Sequence, residues 1–442
     1  MSLSEDNVQL DNRFYVLITG ANSGLGLGVG RRLIDEFLET RPESESLILI
    51  VTTRDKRKGD ATVEQLHDHL LKTCRNLEKT RPGSSALLQR RVHFRQEILD
   101  LLSLLSVQTL SKRLRETTPK IDVVICNAGI GGWTGLNWGY AVWTILTNWK
   151  NAVTWPEFKI AGVGWVTKAQ IPSLENGETV EEPPLGEVFC ANFFGHYLLG
   201  HYLAPLLARH AESEQTKGRL IWVSSVEGYT HSLDMNDIQG IEAEEAYMST
   251  KRLTDIMGIT STLPSTAKIT DRYLDRSGPS EKTTKPRIYV AHPGICGTSI
   301  FPLNFILEYC MLFAFYMARW LGSQWHPITV EKGACALVWL ALAKQSTLDT
   351  MEEREGAGKW GSATDWFGNE RVERTEVEGW GWGGKLGDKR KWKNRSPYAK
   401  DLTQEDRETF EETGKTCWAE MEKLRLEWEK RLDDAGVGVK ME

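Results

Sequence analysis

A short β-branched and aromatic run at 14–18, in "FYVLITGANSGLG", stops at Gly20, and a helix-periodic stretch follows with Leu25, Val29, Leu33, Ile34 and Phe37. This strand–turn–helix junction constrains the fold more than any other feature of the chain. Its glycines, Gly20, Gly24 and Gly26, are spaced G-x-x-x-G-x-G. Glycine lets backbone approach an anionic group, and a helix N-terminus offers unpaired N–H groups and the positive end of its dipole. Glycines also suit an ordinary tight turn, so context decides. Here the loop follows a strand, opens a helix and begins a long α/β pattern. We read it as a dinucleotide pyrophosphate site, with Thr19, Gly20, Asn22, Ser23, Gly24, Leu25 and Gly26 as candidate contacts.

The alternation continues along the chain. Strands are predicted at 46–53, 90–96, 120–129, 219–225 and 287–294, and helices at 59–80, 101–116, 186–210 and 244–262. Strands alternating with helices imply βαβ units. Right-handed crossovers then give a Rossmann-like, doubly wound parallel sheet with helices on both faces. Three stretches interrupt the rhythm. Residues 130–183 are tryptophan-rich, 264–286 are polar and read as a surface loop, and 346–442 form a tail with a charged amphipathic helix near 402–433. The expected organisation is a domain over 1–368, with insertions at 130–183 and 264–286, and a C-terminal extension over 369–442.

Composition narrows the function. The net charge of −6 comes without basic clustering, which argues against a nucleic-acid partner. Seven cysteines are an odd, widely spaced set with no C-x-x-C, so reduced thiols are expected, and no disulfide framework or metal site. The polar, acidic start "MSLSEDNVQLDNR" carries no expected signal or transit peptide.

The second strand ends "TTRDKRKG". A fold that prefers NAD places an acid there for the ribose 2′-hydroxyl, whereas Arg54 can clamp a 2′-phosphate. NADPH/NADP+ is therefore the expected cofactor. Asp55 opposes that reading, and a solvated basic turn is the alternative.

In "YMSTKRLTDIM", Tyr247 and Lys251 are four apart and share a helix face. A phenol and an ammonium are both protonated in neutral water. The pair makes sense beside a substrate that needs a proton. The ammonium, and the positive ring of an oxidised nicotinamide, are expected to lower the tyrosine pKa. Ser225, at the end of the strand in "WVSSVEGY", is placed to hold the same substrate oxygen. Singly, each of these has an ordinary structural explanation. Their order along the chain is the specific signal.

That order resembles the short-chain dehydrogenase/reductase family over residues 14 to about 368. The matching positions are Thr19-Gly20-x-x-x-Gly24-x-Gly26, Asn127-Ala128-Gly129, Asn192, Ser225, Tyr247-x-x-x-Lys251, and His292-Pro293-Gly294 with Thr298. The resemblance implies a catalytic tetrad of Asn192, Ser225, Tyr247 and Lys251. It implies adenine contact near Asp100, and further cofactor contacts at Asn127, Ala128, Gly129, Tyr247, Lys251, Pro293, Gly294 and Thr298. Ser225 and Tyr247 are farther apart here than in most members. That long loop, the insertion after Gly129 and "GKWGSATDWFG" (358–368) resemble the membrane-associated 3-keto-steroid reductases of sterol C-4 demethylation. The resemblance implies reduction of a sterol 3-ketone to the 3β-alcohol. It also implies the endoplasmic reticulum or lipid-droplet surface as location, and other enzymes of sterol C-4 demethylation as neighbours. Retinal or 17-keto-steroid reduction, and a scaffold role in a sterol-processing complex, are the alternatives.

An apolar segment over 301–325 has two readings. Tyr309–Ala318 carries no charge, but Glu308 and Arg319 bound it, and it is too short to span a bilayer. It is either a lid helix buried over substrate or an interfacial helix. The second reading puts Glu308, Arg319, Trp320 and Trp325 among headgroups, and Leu312, Phe313, Phe315 and Tyr316 among acyl chains. Six tryptophans (Trp133, Trp138, Trp143, Trp149, Trp155 and Trp165) either line the same pocket mouth or pack the insertion onto the core.

Overall fold

The computed structural model describes residues 12–155, 157–173, 180–210, 217–274, 283–297, 305–388 and 395–441. One sheet organises them. Its strands are β1 (Arg13–Ile18), β2 (Ser46–Thr53), β3 (Val92–Ile98), β4 (Val123–Cys126), β5 (Arg219–Val223), β6 (Arg287–His292), β7 (Lys359–Thr364) and β8 (Glu370–Thr375). They lie in the order β8-β7-β6-β5-β4-β1-β2-β3, all parallel except the antiparallel β7–β8 pair. The chain steps outward from β1 to β3, crosses back, and continues from β4 on the other side. The crevice at that reversal is where doubly wound sheets take ligands.

Burial explains the strand sequences. Val16, Leu17 and Ile18 of β1 are fully buried, as a parallel strand covered on both faces requires. By contrast β8 reads "ERVERT" and forms an edge, where charge discourages further pairing. The helices that bear on the site and the core include α1 (Gly24–Thr40), α2 (Lys56–Glu78), α3 (Leu104–Thr117), α4 (Trp138–Thr154), α5 (Gly195–Leu207), α6 (Ala246–Thr260), α7 (Ala267–Leu274), α8 (Phe305–Trp320), α9 (Cys335–Leu342) and α10 (Gln404–Asp434). One apolar core joins the sheet to α1, α2 and α9, and the other joins it to α3, α5, α6 and α10.

Two stretches differ from the sequence reading. The polar segment 264–286 is not all loop. It contains α7, which buries Tyr273 and Leu274, and the Tyr273 hydroxyl donates to the Tyr197 carbonyl at 2.8 Å. The tail adds β8 to the sheet, and α10 belongs to the core. Trp418, Met421, Trp428 and Leu432 are buried, the Tyr197 hydroxyl donates to Glu422 at 2.6 Å, and the Trp418 indole N–H donates to the Met257 carbonyl at 3.2 Å. Thr403 and Asp406 close a capping box at its start. The helix therefore packs its apolar face on the body. Trp380 and Trp382 of "GWGWGG" are buried too.

Candidate active site

A cavity of about 720 Å³ runs along the C-terminal ends of the central strands, from the glycine loop to α8. Gly20 and Gly24 hold φ of +65° and +52°. A Cβ on Gly26 would lie 2.3 Å from the Gly20 carbonyl oxygen and 2.6 Å from Asn127 Nδ2, so only glycine fits. Asn127 Nδ2 donates to the carbonyls of Thr19 (2.9 Å) and Gly20 (3.2 Å). The backbone N–H groups of Asn127 and Ala128 donate to Thr19 Oγ1 at 2.8 and 3.0 Å. Thr19 is thus fully buried and does not line the cavity. It ties the loop after β1 to the turn after β4, and differs in this from the other glycine-loop candidates. Asn22, Ser23, Gly24 and Leu25 do line it, and Ser23 makes no side-chain cap to α1, whose first N–H groups face the cavity end.

Arg54 is exposed and lines the same cavity. The competing Asp55 is engaged elsewhere. Its carboxylate caps α2, accepting from the Lys58 N–H at 2.9 Å. Asp100 lines the cavity while its side chain accepts from the Leu102 N–H at 3.1 Å. Gly129, Pro293 and Gly294 complete the cleft. His292 holds that last turn, accepting from the Gly294 N–H at 3.0 Å and meeting Thr375 of β8 at 2.6 Å. Thr298 lies outside the described residues.

Asn192, Ser225, Tyr247 and Lys251 all line the cavity. Asn192 sits in a π-turn, Cys190–Phe194, just before α5, and its Nδ2 donates to the carbonyls of Ile130 (2.9 Å) and Val188 (2.8 Å). Ser225 follows β5, and its hydroxyl accepts from the Glu227 N–H at 3.2 Å. Lys251 Nζ lies 5.3 Å from the Tyr247 ring centroid and donates to the Val223 carbonyl at 2.7 Å. The electrostatics differ from the sequence expectation. Burial pushes the Tyr247 phenol up, the Glu227 carboxylate adds to that, and a Ser225 hydrogen bond opposes it. Burial pushes Lys251 itself down to about 8, with Asp255 opposing and Lys359 reinforcing the shift.

The tryptophan-rich insertion reaches the site. Trp133–Leu136 and Lys159–Ala161 pair as a two-stranded antiparallel ribbon, with α4 between them in the chain. Trp133 stands 5.1 Å from the Tyr247 ring, Lys159 Nζ lies 4.6 Å from the Trp133 ring, and that ammonium donates to both Glu227 oxygens at 2.5 and 2.7 Å. Sequence reasoning missed Lys159 and Glu227, since neither carries a motif. Only the position of Glu227, two residues after Ser225, marked it. The tryptophans divide. Trp133 and Trp138 line the cavity, Trp138 while 54% exposed, whereas Trp143 and Trp149, 65% and 49% exposed, do not.

Helix α8 also serves two sides. Met311, Ala314 and Phe315 face the cavity, while Tyr309, Phe313, Tyr316 and Trp320 form an exposed stripe at helical spacing. Cavity wall and exposed apolar surface are therefore two faces of one helix, and Phe315 belongs to the wall. Arg319 and Trp325 are buried, against the interfacial reading: the Arg319 guanidinium donates to the carbonyls of His326 and Pro327, and Trp325 stacks edge-on with His292. The outer face of α4 adds Val142, Trp143, Leu146 and Trp149, all exposed, and α4 packs on α8. Among the described residues no helix is long and apolar enough to cross a membrane.

The doubly wound sheet, the glycine loop and the Ser225–Tyr247–Lys251 group together define an oxidoreductase of the short-chain dehydrogenase/reductase class. No family model matches the chain. Whole-chain comparison gives the narrower group. The chain is 44% identical to the 3-keto-steroid reductase of Aspergillus fumigatus, covering 100% of both, and 40% identical to that of Gibberella zeae, covering 97% of this chain and 96% of the relative. A short-chain type dehydrogenase/reductase from Mycobacterium ulcerans aligns with a TM-score of 0.41 at 15% identity, over 75% of this chain and 83% of that one. The chain belongs to the 3-keto-steroid reductase family.

Proposed function

We propose that the chain reduces the 3-ketone of a C-4-demethylated sterol to the 3β-alcohol, with NADPH, in ergosterol biosynthesis. The observation that carries this reading is the single cavity. It joins a glycine-built anion cradle to an apolar vestibule, and Ser225 and Tyr247 stand where the two meet. The residues fit a dinucleotide: side-chain-free Gly26 leaves backbone access at the α1 N-terminus, and Arg54 stands at the β2 end for a 2′-phosphate. When bound, NADPH supplies the hydride that the carbonyl carbon accepts.

The chain's own residues do the rest. The Ser225 hydroxyl holds and orients the carbonyl oxygen. The Tyr247 hydroxyl gives that oxygen its proton. Lys251 faces the ribose and supplies positive charge beside Tyr247. Asn192 anchors a water path from Lys251 to solvent. Asn127, Ala128, Gly129, Pro293 and Gly294 would hold the nicotinamide end of the cofactor, and Asp100 the adenine end. Trp133 closes the substrate side over Tyr247.

A sterol is apolar and resides in bilayers. The exposed faces of α4 and α8 flank the same vestibule, which supports peripheral attachment to the endoplasmic reticulum or lipid-droplet surface, beside other enzymes of sterol C-4 demethylation. NADPH oxidation by the purified protein, run against 3-keto sterols, 17-keto steroids and retinal, tests the reading. Highest kcat/KM on the 3-keto sterols is expected. Preference for retinal or a 17-keto steroid overturns it.

A further inference from the structure

Lys359 and Asp255 form an ion pair that the proposed mechanism does not use. Lys359 Nζ lies 2.5 Å from Asp255 Oδ2, with the two side chains 3% and 0% exposed. Lys359 opens β7, and Asp255 is one turn past Lys251 on α6. Burying two ions removes their hydration, so such a pair needs further partners to hold it. Here each partner leads to the loop that carries Ser225. Lys359 Nζ donates to the Ser225 carbonyl at 2.8 Å. Asp255 Oδ1 accepts from the Ser224 hydroxyl at 2.6 Å. Asp255 Oδ2 also sits where a Cβ on Gly228 would meet it at 2.6 Å. The pair therefore holds the loop at Ser224 and Ser225, and packs closely under Gly228.

We propose that Lys359 and Asp255 are positioning residues for the reaction: they fix the backbone that aims Ser225, and they set the field at Lys251. This rests on the roles proposed above for Ser225, Tyr247 and Lys251. The groups facing Lys251 are Asp255 on its own helix, Lys359 from β7, Cys126 from β4, His196 from α5 and the Tyr247 ring. Burial pushes the Cys126 thiol up and His196 down to about 3, so both are neutral near pH 8. The two ions of the pair are then the charges that tune Lys251, and they act in opposite senses. Lys359 disfavours its ammonium form and Asp255 favours it.

The test follows the Lys251 side-chain Cε resonance by NMR as pH is raised, in protein without cofactor or sterol, with Lys251→Met for assignment. Lys359→Met should raise the Lys251 midpoint and Asp255→Asn should lower it, each by about one unit. Both should also lower kcat roughly 10–100-fold on the best ketone, with the NADPH Kd little changed. Since Lys359→Met leaves Asp255 buried without its partner, Asp255→Asn/Lys359→Met covers the case of a variant that fails to fold. The double variant should keep the melting temperature and still lose kcat. Lys359→Arg, which keeps the charge, should retain the wild-type midpoint. Midpoints that stay put, or move the same way in both single variants, overturn the proposal, as does wild-type kcat in the double variant. Because the titration uses neither cofactor nor sterol, a wrong substrate assignment leaves its outcome intact.

Discussion

At the residue scale, spacing made part of the site readable. Tyr247 and Lys251 stand four apart on one helix, the glycines are locally spaced, and Ser225 ends a strand. Each of these signals is local. Lys159–Glu227 and Asp255–Lys359 were invisible because their partners are distant in sequence and lone charges carry no pattern. Burial and Glu227 push the Tyr247 phenol up, and neither is a sequence-local quantity. Two substitutions test the assigned roles. Tyr247→Phe keeps the ring and removes the proton, so turnover should fall by roughly 10²–10⁴ while NADPH Kd holds. Near-normal turnover would remove Tyr247 from the chemistry. Arg54→Asp should weaken NADPH by about 2–3 kcal/mol, the size of a charge-assisted contact, and spare NADH. Equal weakening of both cofactors, read by fluorescence titration, would show that Arg54 does not meet the 2′-phosphate.

At the scale of elements, long periodic segments were readable and short or edge elements were not. The "AKITDRYL" helix, α7, has two turns and little apolar surface beyond Ile269, Tyr273 and Leu274, too little for periodicity to register. Strand β8 is charged because it lies at the edge, and so it lacks the apolar run that marked β1. Helix α10 was readable as amphipathic, but only the fold shows what covers it. Trp418 lies 5.4 Å from Tyr273 and 5.9 Å from Tyr197, at the centre of that contact. Trp418→Ala should therefore cost about 3–5 kcal/mol, read from the denaturant midpoint. A loss below about 1 kcal/mol would mean that α10 is only loosely held. The outer faces of α4 and α8 make the opposite prediction. Leu146→Ser, Trp143→Ser, Phe313→Ser and Tyr316→Ser together alter side chains already exposed to solvent, so the melting temperature should hold. If those side chains enter the acyl region, each is worth about 1.5–3 kcal/mol, and the variant should leave liposomes in a flotation assay. Retention on the liposomes would place the attachment elsewhere.

At the scale of the molecule, the doubly wound sheet was readable because its strands alternate with helices and the central ones are apolar. How the insertion and the C-terminal segment close on that sheet was not, since neither follows the βα rhythm. The fold brings them to opposite sides of one helix, α6: Trp133 of the insertion meets Tyr247, and α10 packs on the helix from its core side. The catalytic helix is thus held by parts of the chain that lie far from it in sequence. The central claim is that this arrangement moves hydride to C3 of a sterol ketone and a proton to its oxygen. The most direct test is to incubate the purified protein with a C-4-demethylated sterol 3-ketone and NADPH deuterated at the transferred position, then analyse the product by mass spectrometry and NMR. A 3β-alcohol with deuterium at C3, lost in Tyr247→Phe, is the predicted result. A 3α-alcohol, deuterium elsewhere, or no alcohol from any sterol 3-ketone would contradict it.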